Sequence, residues 1–166
     1  SLLPGKPRAV LVISGHWEES EFTLATSAHP STIYDYSGFP PHTYELKYPA
    51  PGAPDLATHV AHLLRAAEIA THVDPSRGFD HGVFVPLYLM YPHADVPILM
   101  LSMKSGYDPA EHLRLGEALA PLREEGVLIF GSGLTYHNMR GFGRSESTAT
   151  AAAFESFLNE AIAAPD

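Results

Sequence analysis

Residues 9–13 read Ala9-Val10-Leu11-Val12-Ile13, an unbroken apolar run in which three residues are β-branched. A short run of this kind, without polar residues in alternation, is typical of a strand covered on both faces. Pro97 to Ser102 and Val127 to Phe130 have the same character. Because helical patterns separate these runs, the sequence predicts an α/β fold, with a mostly parallel central sheet flanked by helices in a single domain.

The remaining elements follow from hydrophobic spacing. Four segments have helical patterns: Asp55 to Glu68, Gly82 to Tyr91 (entered around Pro86), Pro109 to Arg123 and Thr148 to Ala163. Asp108 is placed to cap the third of these helices. The last helix is expected to turn four apolar side chains inward: Phe154, Phe157, Leu158 and Ile162. Two further short strands are expected at residues 21–26 and 69–73.

Composition limits the class of protein. A chain of 166 residues with 45% hydrophobic and 17% charged residues is long enough and apolar enough to bury a core. The net charge of −9, without a basic stripe, makes nucleic acid a poor candidate partner. The absence of cysteine excludes disulfides, thiolate metal sites and a cysteine nucleophile. No apolar run approaches the ~20 residues of a membrane helix, so we expect a cytoplasmic protein without a membrane partner, and a homo-oligomer is an open alternative to a monomer.

Three histidines occupy comparable positions in the sequence. They lie in Ser14-Gly15-His16-Trp17, in Phe79-Asp80-His81-Gly82 and in Leu134-Thr135-Tyr136-His137-Asn138. Each stretch follows a predicted strand or a strand-to-loop segment, and ligands collect at the carboxyl ends of parallel strands. Imidazole binds metals and moves protons near neutral pH. The pattern therefore predicts a site, although a loop histidine packed on Trp17 is the alternative for His16.

The surroundings of each histidine suggest a role. His16 directly follows a buried strand and is suited to bind iron or zinc. His81 lies at a helix start, where the helix dipole disfavours the cation, and this suits a hydrogen-bond donor to a bound oxygen species. His137 follows the third core strand by a short loop, as a catalytic acid or base would. Gly131-Ser132-Gly133 meets neither the nucleophile-elbow nor the dinucleotide pattern, so its glycines are expected to allow a tight turn or the approach of a ligand.

Taken together, several stretches resemble the class III extradiol ring-cleavage dioxygenases, in particular the DOPA 4,5-dioxygenase branch. The resemblance extends from about residue 8 to residue 140, and order and spacing both fit. The matching stretches are Ser14-Gly15-His16-Trp17, Ile33-Tyr34-Asp35-Tyr36-Ser37-Gly38-Phe39-Pro40, Tyr48-Pro49-Ala50-Pro51-Gly52-Ala53-Pro54, Gly78-Phe79-Asp80-His81-Gly82, Met90-Tyr91-Pro92, Ala94-Asp95-Val96-Pro97, and Gly131-Ser132-Gly133 followed by His137-Asn138.

The resemblance implies a function and a set of residues. His16 corresponds to a ligand of a non-haem metal, most readily Fe(II) with Zn(II) as the alternative. His137 corresponds to the acid/base histidine and His81 to a second histidine of the pocket. The substrates would be O₂ and a catechol, DOPA-like or otherwise small. The Tyr-rich loop of residues 33–51 would shape the ring pocket with Tyr34, Phe39 and Tyr48 and exclude water.

The family's centre normally has two further ligands, which this chain lacks. One is a histidine in an N-terminal His-Gly-Ser-Pro loop, and the other is a histidine or glutamate near the C-terminus. We expect residues 1–166 to be a single catalytic-type domain, with those ligands in flanking segments. A non-catalytic binding or scaffold relative is the alternative. A metal-dependent hydrolase ranks third, because it needs a carboxylate to activate water and the sequence shows none in an evident position.

Overall fold

The apolar run at residues 9–13 begins β1 (Ala9–Glu19) in a computed structural model that describes residues 5–164. The described chain falls into two units, the first ending at Gly133 and the second beginning at Leu134. The first contains one sheet and three α-helices. Its other elements are β2 (Phe22–Ala25), α1 (Pro54–Ala66), β3 (Thr71–Asp74), α2 (His81–Met90), β4 (Ile98–Lys104), α3 (Pro109–Leu119) and β5 (Val127–Ser132), with short 3₁₀ segments at Pro41–Glu45 and Ala120–Arg123.

The sheet confirms the predicted α/β class. Its strand order is β3-β2-β4-β1-β5. β1 runs parallel to both of its neighbours, β4 and β5, and β2 runs parallel to β3. The β2–β4 pair alone is antiparallel among the strands described, so the sheet is mostly parallel as expected.

Alternate residues of β1 enter two separate cores, which explains why the run is apolar without interruption. Leu11 packs with side chains of α1 and α3 on one face of the sheet. Val10 and Val12 pack on the other face, with α2 and with residues of the loop that precedes α1. Successive side chains of a strand point to opposite faces, so helices on both faces require apolar residues at every position.

β1 extends beyond the predicted end at Ile13. Its pairing with β5 ends at Ser14, and its pairing with β4 is irregular between Ile13 and Glu18. There, the four residues 14–17 of β1 lie opposite the single residue Ser102 of β4. The extra residues form a bulged segment that carries His16, so this histidine lies within an irregular strand and not in a loop after it.

Two helices differ from expectation. α2 begins at His81 and contains Pro86, so the predicted entry around Pro86 was too late by about one turn. The second unit contains a 3₁₀ segment at Met139–Gly141 and α4 (Ser145–Ala163), in which none of the described residues is buried. The inward packing predicted for the apolar residues of α4 was wrong, and Phe157 and Ile162 are largely exposed.

The predicted cap at Asp108 is confirmed. Its carboxylate accepts hydrogen bonds from the backbone N–H groups of Ala110 (2.8 Å) and Glu111 (3.1 Å) at the start of α3. No helix among residues 5–164 combines the length and the apolar character needed to cross a membrane.

Candidate metal centre

A buried serine fixes the bulged segment of β1 at His16. The hydroxyl of Ser14 accepts the backbone N–H of His16 (3.2 Å) and donates to the carboxylate of Asp80 (2.7 Å). Ser14 and Asp80 are both fully buried. The hydrogen bonds connect the segment that carries His16 to the residue that directly precedes His81.

The buried carboxylate of Asp80 is paired with a cation. Arg77 donates to Asp80 from Nη2 (2.8 Å), and its guanidinium lies 5.1 Å from the ring centre of Trp17. A buried charge is tolerated when it is paired and hydrogen-bonded, and the stacked, planar guanidinium suits this role. This network of hydrogen bonds supports the two segments that carry His16 and His81.

Gly82 allows the first turn of α2 to pack closely against Ser14 and His16 of β1. A Cβ atom at this position would lie 2.5 Å from Ser14 Oγ, 3.1 Å from Asp80 Oδ1 and 3.1 Å from His16 Cδ2. Only a residue without a side chain permits this approach, which places the two imidazole rings next to each other. The ring centres of His16 and His81 are 4.0 Å apart, with an angle of 46° between the planes.

Asp35 brings a carboxylate to the two rings. Its Oδ1 accepts the backbone N–H of His81 (3.0 Å) and lies 2.8 Å from Nδ1 of the same residue. Oδ2 lies 3.9 Å from His16 Nδ1, beyond hydrogen-bond distance. Partial burial alone would raise the pKa of Asp35, but the hydrogen bonds from His81 outweigh it and lower that pKa below its ordinary value.

His16, Asp35 and His81 together form a possible metal site. Each offers one donor atom, and the three donor atoms lie within 4.8 Å of one another. Donor atoms at about 2.0–2.2 Å from one ion are at most about 4.4 Å apart, so the three atoms lie close to the spacing of a metal site. Two imidazoles and a carboxylate are also the donor set of non-haem Fe(II) centres, so the residues present fit such an ion.

Aromatic residues from the loop before α1 line one side of the cluster. The ring of Tyr36 meets His81 edge-on at 5.7 Å, and Tyr34 and Phe39 pack against Tyr36 at 6.2 and 5.5 Å. Phe39 remains 59% exposed. Tyr48 is buried in the core, where its hydroxyl donates to the carbonyl of Tyr91 (2.9 Å).

The sequence-predicted residues are thus distributed between the two units. His16 and His81 are adjacent, with Tyr34 and Phe39 reaching them through Tyr36. His137 lies in the second unit, exposed, between the end of β5 and the 3₁₀ segment at Met139–Gly141. The roles assigned to these residues remain predictions.

Sequence reasoning missed Asp35, Tyr36 and the buried Ser14–Asp80–Arg77 network. Asp35 lies within the matching stretch from Ile33 to Pro40, but in an irregular loop no periodicity shows which side chain faces the site. The acidic residues nearest to His16 in the sequence are Glu18 and Glu19, and neither belongs to the cluster. Glu18 instead accepts from Ser105 (2.9 Å) and Glu19 from the indole of Trp17 (2.9 Å).

The α/β sheet and the His/Asp/His cluster define a candidate metal protein, and comparison with known proteins identifies its family. Residues 2–164 match the family described as the catalytic LigB subunit of aromatic ring-opening dioxygenase, and the chain belongs to this family. Membership confirms the resemblance seen in the sequence. It also implies a non-haem metal, for which the cluster is a possible site.

Individual relatives agree with this assignment. The chain is 47% identical over 160 residues to a 4,5-DOPA dioxygenase extradiol of Beta vulgaris, covering 95% of this chain and 60% of the relative. It is 48% identical over 146 residues to the dioxygenase tasH of Hapsidospora irregularis (87% and 45%), and 41% identical over 136 residues to a 4,5-DOPA dioxygenase extradiol of Escherichia coli (81% and 49%). The chain therefore spans about half the length of the curated relatives it matches.

A solved structure supports the fold. The crystal structure of an uncharacterised protein from Escherichia coli K12 superimposes with a TM-score of 0.69 at 36% identity. The match covers 85% of this chain and 52% of that chain.

Proposed function

We propose that the full-length protein is a non-haem metal-dependent extradiol dioxygenase, an oxidoreductase that opens the aromatic ring of a small, DOPA-like catechol with O₂. Family membership and the names of the relatives support the reaction class. The observation that carries the proposal is the cluster of His16, Asp35 and His81 beside an aromatic loop. In this cluster, imidazole and carboxylate groups that can bind a metal or accept a proton lie beside the aromatic rings of the loop.

The proposed metal is Fe(II), with Zn(II) as the alternative that metal analysis can identify. His16 is the proposed ligand from this chain, because Ser14 and the bulge of β1 hold it in place. We further propose that residues 1–166 act as one catalytic-type domain and that two more ligands come from flanking segments of the full-length protein. When bound, the ion supplies a Lewis acid for the two catechol oxygens and a path for electrons between ring and O₂.

The chain's own residues supply binding and proton handling in this proposal. His81 hydrogen-bonds a polar group of the bound substrate or O₂, and its position next to His16 would bring that group to the metal ligand. His137 acts as the general base for a catechol hydroxyl and later as the general acid.

The aromatic loop shapes the pocket for the ring. Tyr34 and Phe39 form its wall through Tyr36, and the buried Tyr48 holds the end of the loop against the core. An apolar wall keeps water from the reacting groups, which strengthens every polar interaction inside the pocket.

A combined measurement of metal content and turnover tests the proposal. Full-length protein purified anaerobically is analysed for iron and zinc, then supplied with Fe(II), a DOPA-like catechol and ¹⁸O₂. Extradiol cleavage consumes one O₂ per catechol and yields a ring-opened aldehyde that contains both labelled oxygen atoms. A dihydroxybenzene with its hydroxyls in the meta position serves as the control substrate, because it cannot chelate through adjacent oxygens.

Other outcomes identify other functions. Tight binding of metal and catechol without O₂ consumption would indicate the non-catalytic relative. Failure to bind either would contradict the proposal altogether. A homo-oligomer and a cytoplasmic location also remain proposals, which light scattering after size exclusion and cell fractionation would test.

A further inference from the structure

We propose that Asp35 is a positioning residue that fixes His81 in the tautomer with its proton on Nδ1, so that Nε2 is the nitrogen offered to a ligand. The tautomer assignment stands on the geometry of the pair alone. Its consequence for turnover rests on the proposed dioxygenase function.

One carboxylate oxygen makes both contacts to His81. Oδ1 of Asp35 accepts the backbone N–H at 3.0 Å, and it lies 2.8 Å from Nδ1 of the ring. An ionised carboxylate can only accept hydrogen bonds. Nδ1 must therefore carry a proton for this contact to be favourable, and in the neutral ring Nε2 is then unprotonated.

The backbone around Asp35 keeps the carboxylate in place. Ile33 donates to the carbonyl of Phe79 (2.7 Å), and Phe79 donates to the carbonyl of Ser31 (2.7 Å). The loop thus runs beside the residues that lead into α2. Because Asp35 also satisfies the first N–H of α2, loop, helix start and imidazole form one unit.

The neighbouring ring limits how far His81 can turn. Tyr36 packs edge-on against His81 with ring centres 5.7 Å apart, while His16 lies on another side at 4.0 Å. The His81 side chain retains 32% of its surface exposed. A ligand can therefore reach the ring, but the ring cannot flip without losing the contact between Nδ1 and Asp35.

His81 is then an acceptor at Nε2, and not the hydrogen-bond donor that the sequence suggested. With Nδ1–H bound to Asp35, the neutral ring presents an acceptor at Nε2, and it can donate from that atom only when protonated. His81 is thereby suited to accept the hydrogen bond, or the proton, of a catechol hydroxyl. Oδ1 of Asp35 is occupied by two donors of His81, so in this proposal Asp35 acts through His81, and His16 is the one proposed metal ligand of the three clustered residues.

Nitrogen NMR of the full-length protein tests the tautomer directly. Long-range ¹H–¹⁵N correlation spectra of the zinc-loaded, diamagnetic protein at about pH 8, above the ordinary histidine pKa of about 6.5, distinguish a protonated from an unprotonated ring nitrogen. The His81→Gln variant assigns the resonances. Wild-type protein should show His81 protonated on Nδ1, and protonation on Nε2 would overturn the proposal.

Variants test whether Asp35 is the cause. Asp35→Ala should shift His81 towards the Nε2–H form and lower kcat by roughly 10–100-fold, the usual effect of losing a residue that orients an active-site histidine. The matched control is Glu125→Gln, which alters a carboxylate 3.0 Å from His59 outside the site. It should leave the His81 tautomer and kcat unchanged.

Three results separate this inference from the proposed function. An unchanged His81 tautomer in Asp35→Ala overturns the positioning role. Loss of metal in Asp35→Ala to the extent seen for His16→Ala also overturns it, because Asp35 would then be a ligand. A wild-type protein without ring cleavage but with Nδ1-protonated His81 contradicts the dioxygenase proposal and leaves the positioning role standing.

Discussion

His16 and His81 are two imidazoles held by different means. The backbone N–H of His16 donates to the hydroxyl of Ser14, which in turn donates to the buried carboxylate of Asp80. The His81 ring is held by the contact between its Nδ1 atom and the carboxylate of Asp35. Because each residue has its own support, replacing either side chain should leave the other in position, and single substitutions can separate their roles.

The first prediction concerns metal binding by His16. His16→Ala should lower the metal stoichiometry of the full-length protein, because it removes a donor that the bulge of β1 holds in place. Elemental analysis after dialysis against Fe(II) or Zn(II) measures the change. His62→Ala is the control, since this residue is exposed on α1. Metal loading that stays at the wild-type level in His16→Ala would show that His16 is not a ligand.

The second prediction concerns His137. His137→Gln should retain the wild-type metal content while the rate of ring cleavage falls by roughly 10²–10⁴, the usual range for a lost general acid or base. Metal loss in this variant would make His137 a ligand, and full activity would leave the proposed mechanism without its proton carrier.

At the scale of elements, the start of α2 is the most constrained part of the site. Its first residue is a site histidine and its second is a glycine in contact with β1. The bulge of β1 and the first turn of α2 must therefore fit each other closely. Small changes of volume at this contact should alter the stability of the fold as well as the site.

The third prediction compares two glycines within helices. Gly82→Ala should destabilise the protein by about 1–3 kcal/mol, the usual cost of overpacking, because the new methyl group meets the buried Ser14 hydroxyl. Gly116→Ala in α3 has no atom within 4 Å and should stabilise the helix by up to about 1 kcal/mol. Urea unfolding measures both. Equal effects of the two substitutions would show that α2 and β1 are not in close contact.

The elements that sequence analysis predicted correctly are those dominated by apolar burial. The runs around Leu11, Leu99 and Leu128 became β1, β4 and β5, since a strand covered on both faces needs apolar residues throughout. The bulge of β1 could not be predicted, because it depends on how many residues of β4 lie opposite. The inward face of α4 was predicted from spacing alone, and spacing does not show whether a partner surface exists.

The candidate site was predictable only in part, because it joins distant segments. Each histidine could be found from its local context, and the family resemblance assigned roles to them. Asp35 reaches His81 across 46 positions of sequence. Arg77 and Asp80 could be read as ordinary polar loop residues, and only the contacts with Ser14 and Trp17 show why Asp80 is buried and Arg77 partly buried.

At the scale of the whole molecule, the loop before α1 joins the site to the core. Its first part carries Asp35 and Tyr36 to the side chains of His16 and His81, and its last part places Tyr48 in the core, hydrogen-bonded to the carbonyl of Tyr91. The sequence predicted Tyr48 as a pocket residue because it shares this loop with Tyr34. In the structure its ring is buried and its hydroxyl is bound to a backbone carbonyl, so its state should affect unfolding of the protein.

The fourth prediction is that Tyr48 makes the protein sensitive to alkaline pH. Burial raises the pKa of Tyr48 to about 12, and the charges of Asp95 and Tyr91 add to this effect. In the unfolded chain a tyrosine ionises near pH 10, as is usual for exposed tyrosine. Between these values the unfolded state releases a proton that the folded state keeps, so stability present below about pH 10 should be lost as the pH rises towards 12.

Tyr48→Phe removes this ionisation together with one hydrogen bond. The variant should be less stable than wild type at neutral pH, by about 0.5–1.5 kcal/mol for the lost bond, but its stability should fall less steeply above pH 10. Urea unfolding at several pH values compares the slopes, with Tyr88→Phe as a control for an exposed hydroxyl. Parallel alkaline slopes for wild type and Tyr48→Phe would mean that Tyr48 ionises as readily in the folded protein as in the unfolded chain. It would then have to face solvent or the pocket, which is the position that the sequence first suggested.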